Sequence, residues 1–344
     1  MIVVMEPKAT EDQINKVVDY VQSKGLRVNI NRGEHLTVVA VLGDKTKLNP
    51  TSINAIDGVH EIKIIQEPYK LVSRSTKEED TIIEFKNGVK IGGLERPVIM
   101  AGPCSVEKDF NGLLKVAQAA KEMGCQFLRG GAFKPRTSPY DFQGLEEKGL
   151  EYLAEARKQT GLLVVTEIMD TMDIPLVCKY ADVLQVGARN MQNFKMLKAL
   201  GKIDKPVMIK RGPAATIREF LLAAEYVVYN GNPNVILCER GIKGIDNDFT
   251  RNTLDIAVVP IIRKYSHLPI IVDPSHGTGK RYLIEPMGKA ALIAGAHGLM
   301  IEVHHDPDHA SSDGAQSLSI EQFKDIAKRL NKLIGRIDYD NKNM

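Results

Sequence analysis

The chain has 344 residues, 43% of them hydrophobic and 26% charged, with a formal net charge of +3. That length allows a large core and two domains, and that charge gives no reason to expect general binding to nucleic acid or a membrane surface. No apolar run reaches the roughly 20 residues that span a bilayer, and the four cysteines fit no disulfide or zinc-finger spacing, so reduced thiols in the cytoplasm are expected.

The N-terminal "MIVVMEPKATEDQ" meets acidic residues at once and lacks a basic start, so no signal peptide is expected. Residues 1–66 read as one module. "MIVVM" is a short strand. "TEDQINKVVDYVQSKG" puts Ile14, Val17, Val18 and Val21 on one helical face, with Thr10 as N-cap and Gly25 as the stop. "LRVNI" and "HLTVVAVLG" flank turn residues, "KLNPTSINAI" gives a short helix and "VHEIKII" a last strand. The order βαββαβ is the ferredoxin-like pattern. A linker is expected at 67–80. "TIIEFKNGVKIGG" follows as a hairpin turning at Asn87-Gly88.

From residue 97 the pattern changes. Eight short apolar runs alternate with helical stretches: "PVIMAGPC", "FLRGGAF", "LLVVTEIM", "VLQVGA", "PVMIKRG", "NVILCERG", "PIIVDPSH" and "GLMIEVHH". Continuous hydrophobicity indicates parallel strands buried on both faces. Helices are expected at 111–123, 145–159, 214–230, 251–265 and 319–334. Eight such units over 81–336 predict an α/β fold, a (β/α)8 TIM barrel preceded by the small ferredoxin-like domain. A doubly wound open sheet is the second choice. No phosphate-loop lysine motif occurs, and no strand is followed by GxGxxG.

The C-terminal ends of barrel strands share one mouth, and here all but one of the runs end in polar or reactive residues. One group is cationic: Arg129, Lys134, Arg136, Arg189, Lys210 and Arg240. So many like charges in one mouth call for anionic ligands, and arginine suits phosphate and carboxylate through bidentate bonds. Arg211 should point outward by strand alternation and pair with local acids. The other group is Cys104, His276 and Glu302, joined by Asp313 from "HASSDGAQSL". Thiolate, imidazole and two carboxylates suit a divalent transition metal such as Mn, Fe, Co or Zn. His304 should share a face with Glu302 and is a candidate for supporting the site or moving a proton. Cys125, Cys178 and Cys238 are read as inert thiols.

The stretches "AGPCSVE", "LRGGAFKPRTSPY", "QVGARNMQN", "IKRG", "ILCERG", "TRNTLD", "DPSHGTGK", "IEVH" and "SDGAQSL" occur in order. Together they resemble the 3-deoxy-D-arabino-heptulosonate 7-phosphate (DAHP) synthase family, in the group where a ferredoxin-like regulatory domain precedes the barrel. The resemblance implies condensation of phosphoenolpyruvate with erythrose 4-phosphate, the first step of the shikimate pathway towards chorismate and the aromatic amino acids. It implies Cys104, His276, Glu302 and Asp313 as metal ligands. Arg189, Arg240 and Lys210 would hold the phosphate of phosphoenolpyruvate, and Arg129, Lys134 and Lys210 its carboxylate. Arg136, Thr137 and Ser138 would grip the sugar phosphate on a loop stiffened by Pro135 and Pro139. Lys134 would move a proton to the aldehyde oxygen, and Glu167 would help position water. Tyrosine or phenylalanine is the implied effector, and a homotetramer the implied assembly, with no nucleic-acid or membrane partner. The alternative is 3-deoxy-D-manno-octulosonate 8-phosphate synthase, whose sugar-phosphate loop typically carries an Asn where this chain has Lys134-Pro135-Arg136-Thr137.

Overall fold

The computed structural model describes residues 1–33, 36–43, 47–63, 68–136, 138–246 and 248–337. The chain divides into two compact units. One is Met1–Asp80 together with Lys264–His267; the other is Thr81–Arg263 with the residues from Leu268 on.

The first unit runs β1 (Ile2–Met5), α1 (Glu11–Ser23), β2 (Arg27–Arg32), β3 (Thr37–Leu42), α2 (Pro50–Asn54) and β4 (Val59–Lys63). Its antiparallel sheet has the order β2-β3-β1-β4, with Ile2 opposite Ala40 on one side and Lys63 on the other. This is the ferredoxin-like arrangement expected from the pattern. Thr10 and Gln13 form a reciprocal capping box on α1, and Ile14, Val17 and Val21 are buried from it. They pack with Val3, Met5, Val39, Val41 and Ile53 in one apolar cluster. The stretch expected as a linker is ordered into turns from residue 68 on. Tyr69, Leu71 and Val72 are buried, and Ser266 Oγ donates to Val72 O at 2.6 Å.

The second unit opens with the hairpin β5 (Ile83–Glu84) and β6 (Lys90–Ile91). Then come β7 (Val98–Gly102), α3 (Phe110–Glu122), β8 (Phe127–Arg129), α4 (Glu147–Thr160), β9 (Leu163–Ile168), α5 (Ile174–Tyr180), β10 (Val183–Val186) and α6 (Phe194–Leu200). The second half continues with β11 (Val207–Lys210), α7 (Ile217–Tyr229), β12 (Val235–Glu239), α8 (Val258–Tyr265), β13 (Ile270–Val272), α9 (Pro274–Thr278), α10 (Arg281–Ile293), β14 (Gly298–Glu302) and α11 (Ile320–Ile334). The strands β7 to β14 form a closed parallel barrel. It closes where β14 pairs with β7, from Gly298↔Val98 to Glu302↔Gly102. Among the described residues no helix is long and apolar enough to cross a membrane.

Inside the barrel, Met100, Phe127, Val165, Val183, Met208, Ile236, Cys238, Ile271 and Met300 pack with Ile83, Phe85 and Ile91 of the hairpin. The hairpin therefore closes the floor. One helix differs from expectation. The stretch 251–265 is helical only from Val258. Before that, Thr253 pairs antiparallel with Ile242, and Arg251 N–H bonds to Thr278 O at 2.8 Å. Those tertiary bonds hold the segment extended and place Arg251 and Asn252 at the barrel mouth.

Candidate active site

Cys104 follows β7, Glu302 ends β14, His276 lies in the five-residue α9, and Asp313 sits in the loop after β14. One possible ligand atom from each lies within 4.8 Å of the other three. Cys104 Sγ is 3.0 Å from Asp313 Oδ2 and 3.9 Å from His276 Nε2, which is 2.9 Å from Glu302 Oε1. Donors bound to one cation at about 2.0–2.3 Å are necessarily this close. A soft thiolate, an imidazole and two carboxylates thus fit a divalent transition metal. Burial alone would lower the His276 imidazole, but Asp273 and Glu302 outweigh it and raise it above its ordinary range. A cation at Nε2 would take the place of that proton.

Local structure fixes these donors. Asp273 caps α9 by accepting from His276 N–H at 2.9 Å, and Gly279 ends the helix at φ 68°. Asp313 is a non-glycine residue at φ 52°, a conformation that neighbours must hold in place. Ser312 bonds to Ser105, Ser311 N–H to Glu107, and Arg251 Nη1 to Asp313 Oδ1 at 3.0 Å. Gly131 has a spatial role as well. A Cβ there would stand 2.9 Å from Lys134 Cδ and 2.7 Å from Cys104 O. The missing side chain leaves room for Lys134 to reach Cys104 Sγ at 2.9 Å.

Above the donor set lies a cavity of about 650 Å³. All six expected cations line it, and Lys243 and Arg251 bring the number to eight, against the three carboxylates of Asp141, Glu167 and Asp313. Several cations are paired: Arg129 with Glu302 at 3.1 Å, Lys210 with Asp273 at 2.5 Å, and Arg136 with Asp141 at 3.3 Å. Among the described residues no acidic partner meets Arg189, Arg240 or Lys243. Arg189 bonds to the Pro135 carbonyl, and Arg240 reaches only Gly241 O at 3.5 Å. Burial pulls the Arg240 guanidinium below its ordinary value. Cations left this way favour anionic ligands.

Residues 80–337 match the model of the DAHP synthetase I family, and residues 1–67 that of the DAHP synthase ferredoxin-like domain. This chain belongs to the DAHP synthetase I family. A phospho-2-dehydro-3-deoxyheptonate aldolase from Thermotoga maritima is 50% identical over 333 residues, 97% of each chain. The crystal structure of phospho-2-dehydro-3-deoxyheptonate aldolase (DAHP synthase) from Thermotoga maritima superposes with a TM-score of 0.76, at 50% identity over 97% of both chains. A 2-dehydro-3-deoxyphosphooctonate aldolase from Nitrobacter hamburgensis is 32% identical over 259 residues, covering 69% of this chain and 88% of its own. The protein is an enzyme of the DAHP synthase, transferase type.

Within this DAHP synthase fold, the expected residues do not all meet. Cys104, Arg129, Lys134, Pro135, Arg136, Glu167, Arg189, Lys210, Arg240, His276, Glu302 and Asp313 converge on the donor set and cavity. Thr137 lies outside the described residues. The Ser138 hydroxyl accepts from Tyr140 N–H at 3.2 Å within its own turn, and Ser138 is not among the residues lining the cavity. His304 does not line the cavity either. Its Nε2 faces Glu107 Oε1 at 3.5 Å and its ring lies against His305, away from the cavity lining. Strand alternation does not carry His304 to the mouth, because β14 ends at Glu302. Arg211 pairs with Glu239 at 3.0 Å and Asp255 at 2.9 Å, as expected of an outward residue. Burial pushes the Cys125 and Cys238 thiols up to about 12, which leaves them inert at neutral pH.

Four further residues belong to the site without having been expected there. Asp273 contacts both His276 and Lys210. Gln185 Nε2 donates to Glu167 Oε2 at 3.2 Å. Gln316 Nε2 donates to Glu302 Oε2 at 2.6 Å, and Arg251 Nη1 donates to Gln316 Oε1 at 2.9 Å.

Proposed function

We propose that the enzyme condenses phosphoenolpyruvate with D-erythrose 4-phosphate and water, giving 3-deoxy-D-arabino-heptulosonate 7-phosphate and inorganic phosphate. This would be the first step of the shikimate pathway, in the cytoplasm. The observation that carries the reading is the cationic cavity, eight cations against three carboxylates, lying directly over a Cys-His-Glu-Asp donor set. Two phosphorylated substrates and one carboxylate account for that excess of charge. The ferredoxin-like domain and the higher identity favour the four-carbon sugar over the octulosonate reaction.

Arg189, Arg240 and Lys210 hold the phosphate of phosphoenolpyruvate in this reading. Arg129, Lys134 and Lys210 hold its carboxylate. Arg136 grips the phosphate of the sugar, and Pro135 stiffens that loop. A divalent ion bound by Cys104, His276, Glu302 and Asp313 would supply Lewis-acid polarisation of the aldehyde. Burial alone would lower the Lys134 ammonium, but the charges of Cys104 and Glu167 outweigh it and raise it. Lys134 therefore stays protonated at neutral pH and gives its proton to the aldehyde oxygen as the enol carbon attacks the aldehyde carbon. Glu167 positions the water that adds to the second carbon of phosphoenolpyruvate. The resulting hemiketal phosphate expels inorganic phosphate. Fixed cations around the anions and a fixed approach of the two carbons supply the rate.

The first unit reads as a regulatory domain that answers tyrosine or phenylalanine, within a homotetramer. The test is consumption of phosphoenolpyruvate by pure protein, with erythrose 4-phosphate or arabinose 5-phosphate, each with and without chelator. Loss only with erythrose 4-phosphate, stopped by chelator and restored by manganese, is expected. Turnover with arabinose 5-phosphate alone would move the assignment to the octulosonate reaction. Adding tyrosine or phenylalanine to the same assay tests the effector: rates unchanged by both would remove the regulatory reading.

A further inference from the structure

His276 and Lys210 serve different halves of the site, one as a metal ligand and the other as an anion-holding cation. One carboxylate touches both. Asp273 Oδ2 accepts from His276 Nδ1 at 2.6 Å and from Lys210 Nζ at 2.5 Å, and Oδ1 accepts from His276 N–H at 2.9 Å. Asp273 is fully buried. Building on the metal and phosphoenolpyruvate reading of this cavity, we propose that Asp273 is a positioning residue shared by the two sites. It aims His276 Nε2 at the cation and Lys210 Nζ at the substrate anion.

The first half follows from what a carboxylate can do. Ionised, it only accepts hydrogen bonds, so its contact with Nδ1 requires hydrogen on Nδ1. The Nε2 lone pair is then free to face a cation, and Nε2 lies on the Cys104 and Glu302 side. The second half follows from the partners of Lys210. Its Nζ also lies 3.4 Å from His276 Nδ1 and 3.7 Å from Met300 Sδ. A protonated Nδ1 accepts nothing, and a thioether accepts weakly. Asp273 is therefore the one strong acceptor for Lys210 among the described residues. It occupies one ammonium hydrogen and leaves the others for a ligand in the cavity that Lys210 lines. Without the carboxylate, a buried ammonium loses its counter-charge and its direction together.

The test measures each site without the other's ligand. Cobalt binding to metal-free protein is followed by thiolate-to-cobalt absorption. Phosphoenolpyruvate binding to metal-free protein is followed by calorimetry. Asp273→Asn is expected to weaken cobalt binding roughly 10–100-fold and to alter the cobalt spectrum. It is also expected to weaken phosphoenolpyruvate binding about tenfold. Asp255→Asn, which removes a carboxylate from the Arg211 pair outside the cavity, should leave both affinities at wild-type values. If Asp273→Asn does not fold, Asp273→Glu keeps the charge, moves the carboxylate, and should shift both affinities in the same direction. Wild-type affinities and spectrum in a folded Asp273 variant overturn the proposal, and loss at one site alone overturns the sharing. Wild-type protein that binds neither cobalt nor phosphoenolpyruvate overturns the underlying reading of the cavity instead.

Discussion

Phe127 and Arg129 point into the same barrel from the same three-residue strand, and both are buried, at 0% and 4% exposure. Phe127 meets Phe85 of the hairpin edge-on, with ring centroids 5.1 Å apart. Arg129 meets Glu302 and lines the cavity. The same step of two, from apolar cluster to site, recurs on six other strands: Val165 to Glu167, Val183 to Gln185, Met208 to Lys210, Cys238 to Arg240, Ile271 to Asp273 and Met300 to Glu302. Each of these seven strands uses its inward face first for the floor and then for the mouth. Stability and chemistry are thereby separated along the barrel axis by one pleat of strand.

If that separation holds, substitutions at the two ends must fail in different ways. The largest effect is expected at the mouth. Cys104→Ser replaces the soft donor beside Lys134 and Asp313. Turnover should fall by about three decades, the several kcal/mol that a bound metal supplies, while the melting temperature changes little. Near-normal turnover with metal retained would remove Cys104 from the ligand set. At the floor, Phe127→Ala empties space between the hairpin and the barrel. A loss of about 3–5 kcal/mol in stability is expected, read by denaturant unfolding, with cobalt affinity of the folded protein unchanged. A Phe127→Ala protein that stays stable but loses cobalt would show that floor and mouth are not separate.

The same step of two explains what could be read from the amino-acid sequence. The eight barrel strands were legible because the bodies of runs such as "VILCE" and "LVVTEI" are apolar on both faces, as buried parallel strands require, and the ferredoxin-like order because Ile14, Val17 and Val21 mark one helical face between short strands. The donor set was legible in part because Cys104 and His276 end their runs and Glu302 is the acidic residue of the last one, whereas Asp313 lies in the loop beyond. Asp273 and Gln185 each lie two residues beyond an inward apolar residue. Counting by two from Ile271 and Val183 finds them, whereas looking for the most reactive residue near the end of each run finds His276 and Arg189. His304 shows the limit of the rule: it lies two residues past the end of β14, whereas Arg240 and Asp273 directly follow the last residues of β12 and β13. The bond from Gln316 to Glu302 joins positions 14 apart across the loop after β14, and that from Arg251 to Asp313 joins positions 62 apart. No spacing announces such pairs, and only the closed barrel brings them together.

The smallest effect tests whether one atom at the mouth can be moved without disturbing the floor. Gly187 follows β10 with φ −64° and ψ 155°, a conformation open to any residue. Alanine there meets no backbone strain, but its Cβ would stand 2.0 Å from Glu167 Oε1 and 2.8 Å from Glu167 Cδ. The flexible Glu167 side chain has to swing aside, which breaks its bond from Gln185 Nε2. Gly187→Ala also restricts the unfolded chain, worth about 0.4–1 kcal/mol towards stability. Melting should therefore stay near or slightly above wild type. Turnover should fall roughly 10–100-fold, the cost of misplacing a group at the reacting centre by about an ångström, with less change in the KM for phosphoenolpyruvate than in kcat. Unchanged turnover in a stable Gly187→Ala protein would mean that the Glu167 carboxylate does not position the water.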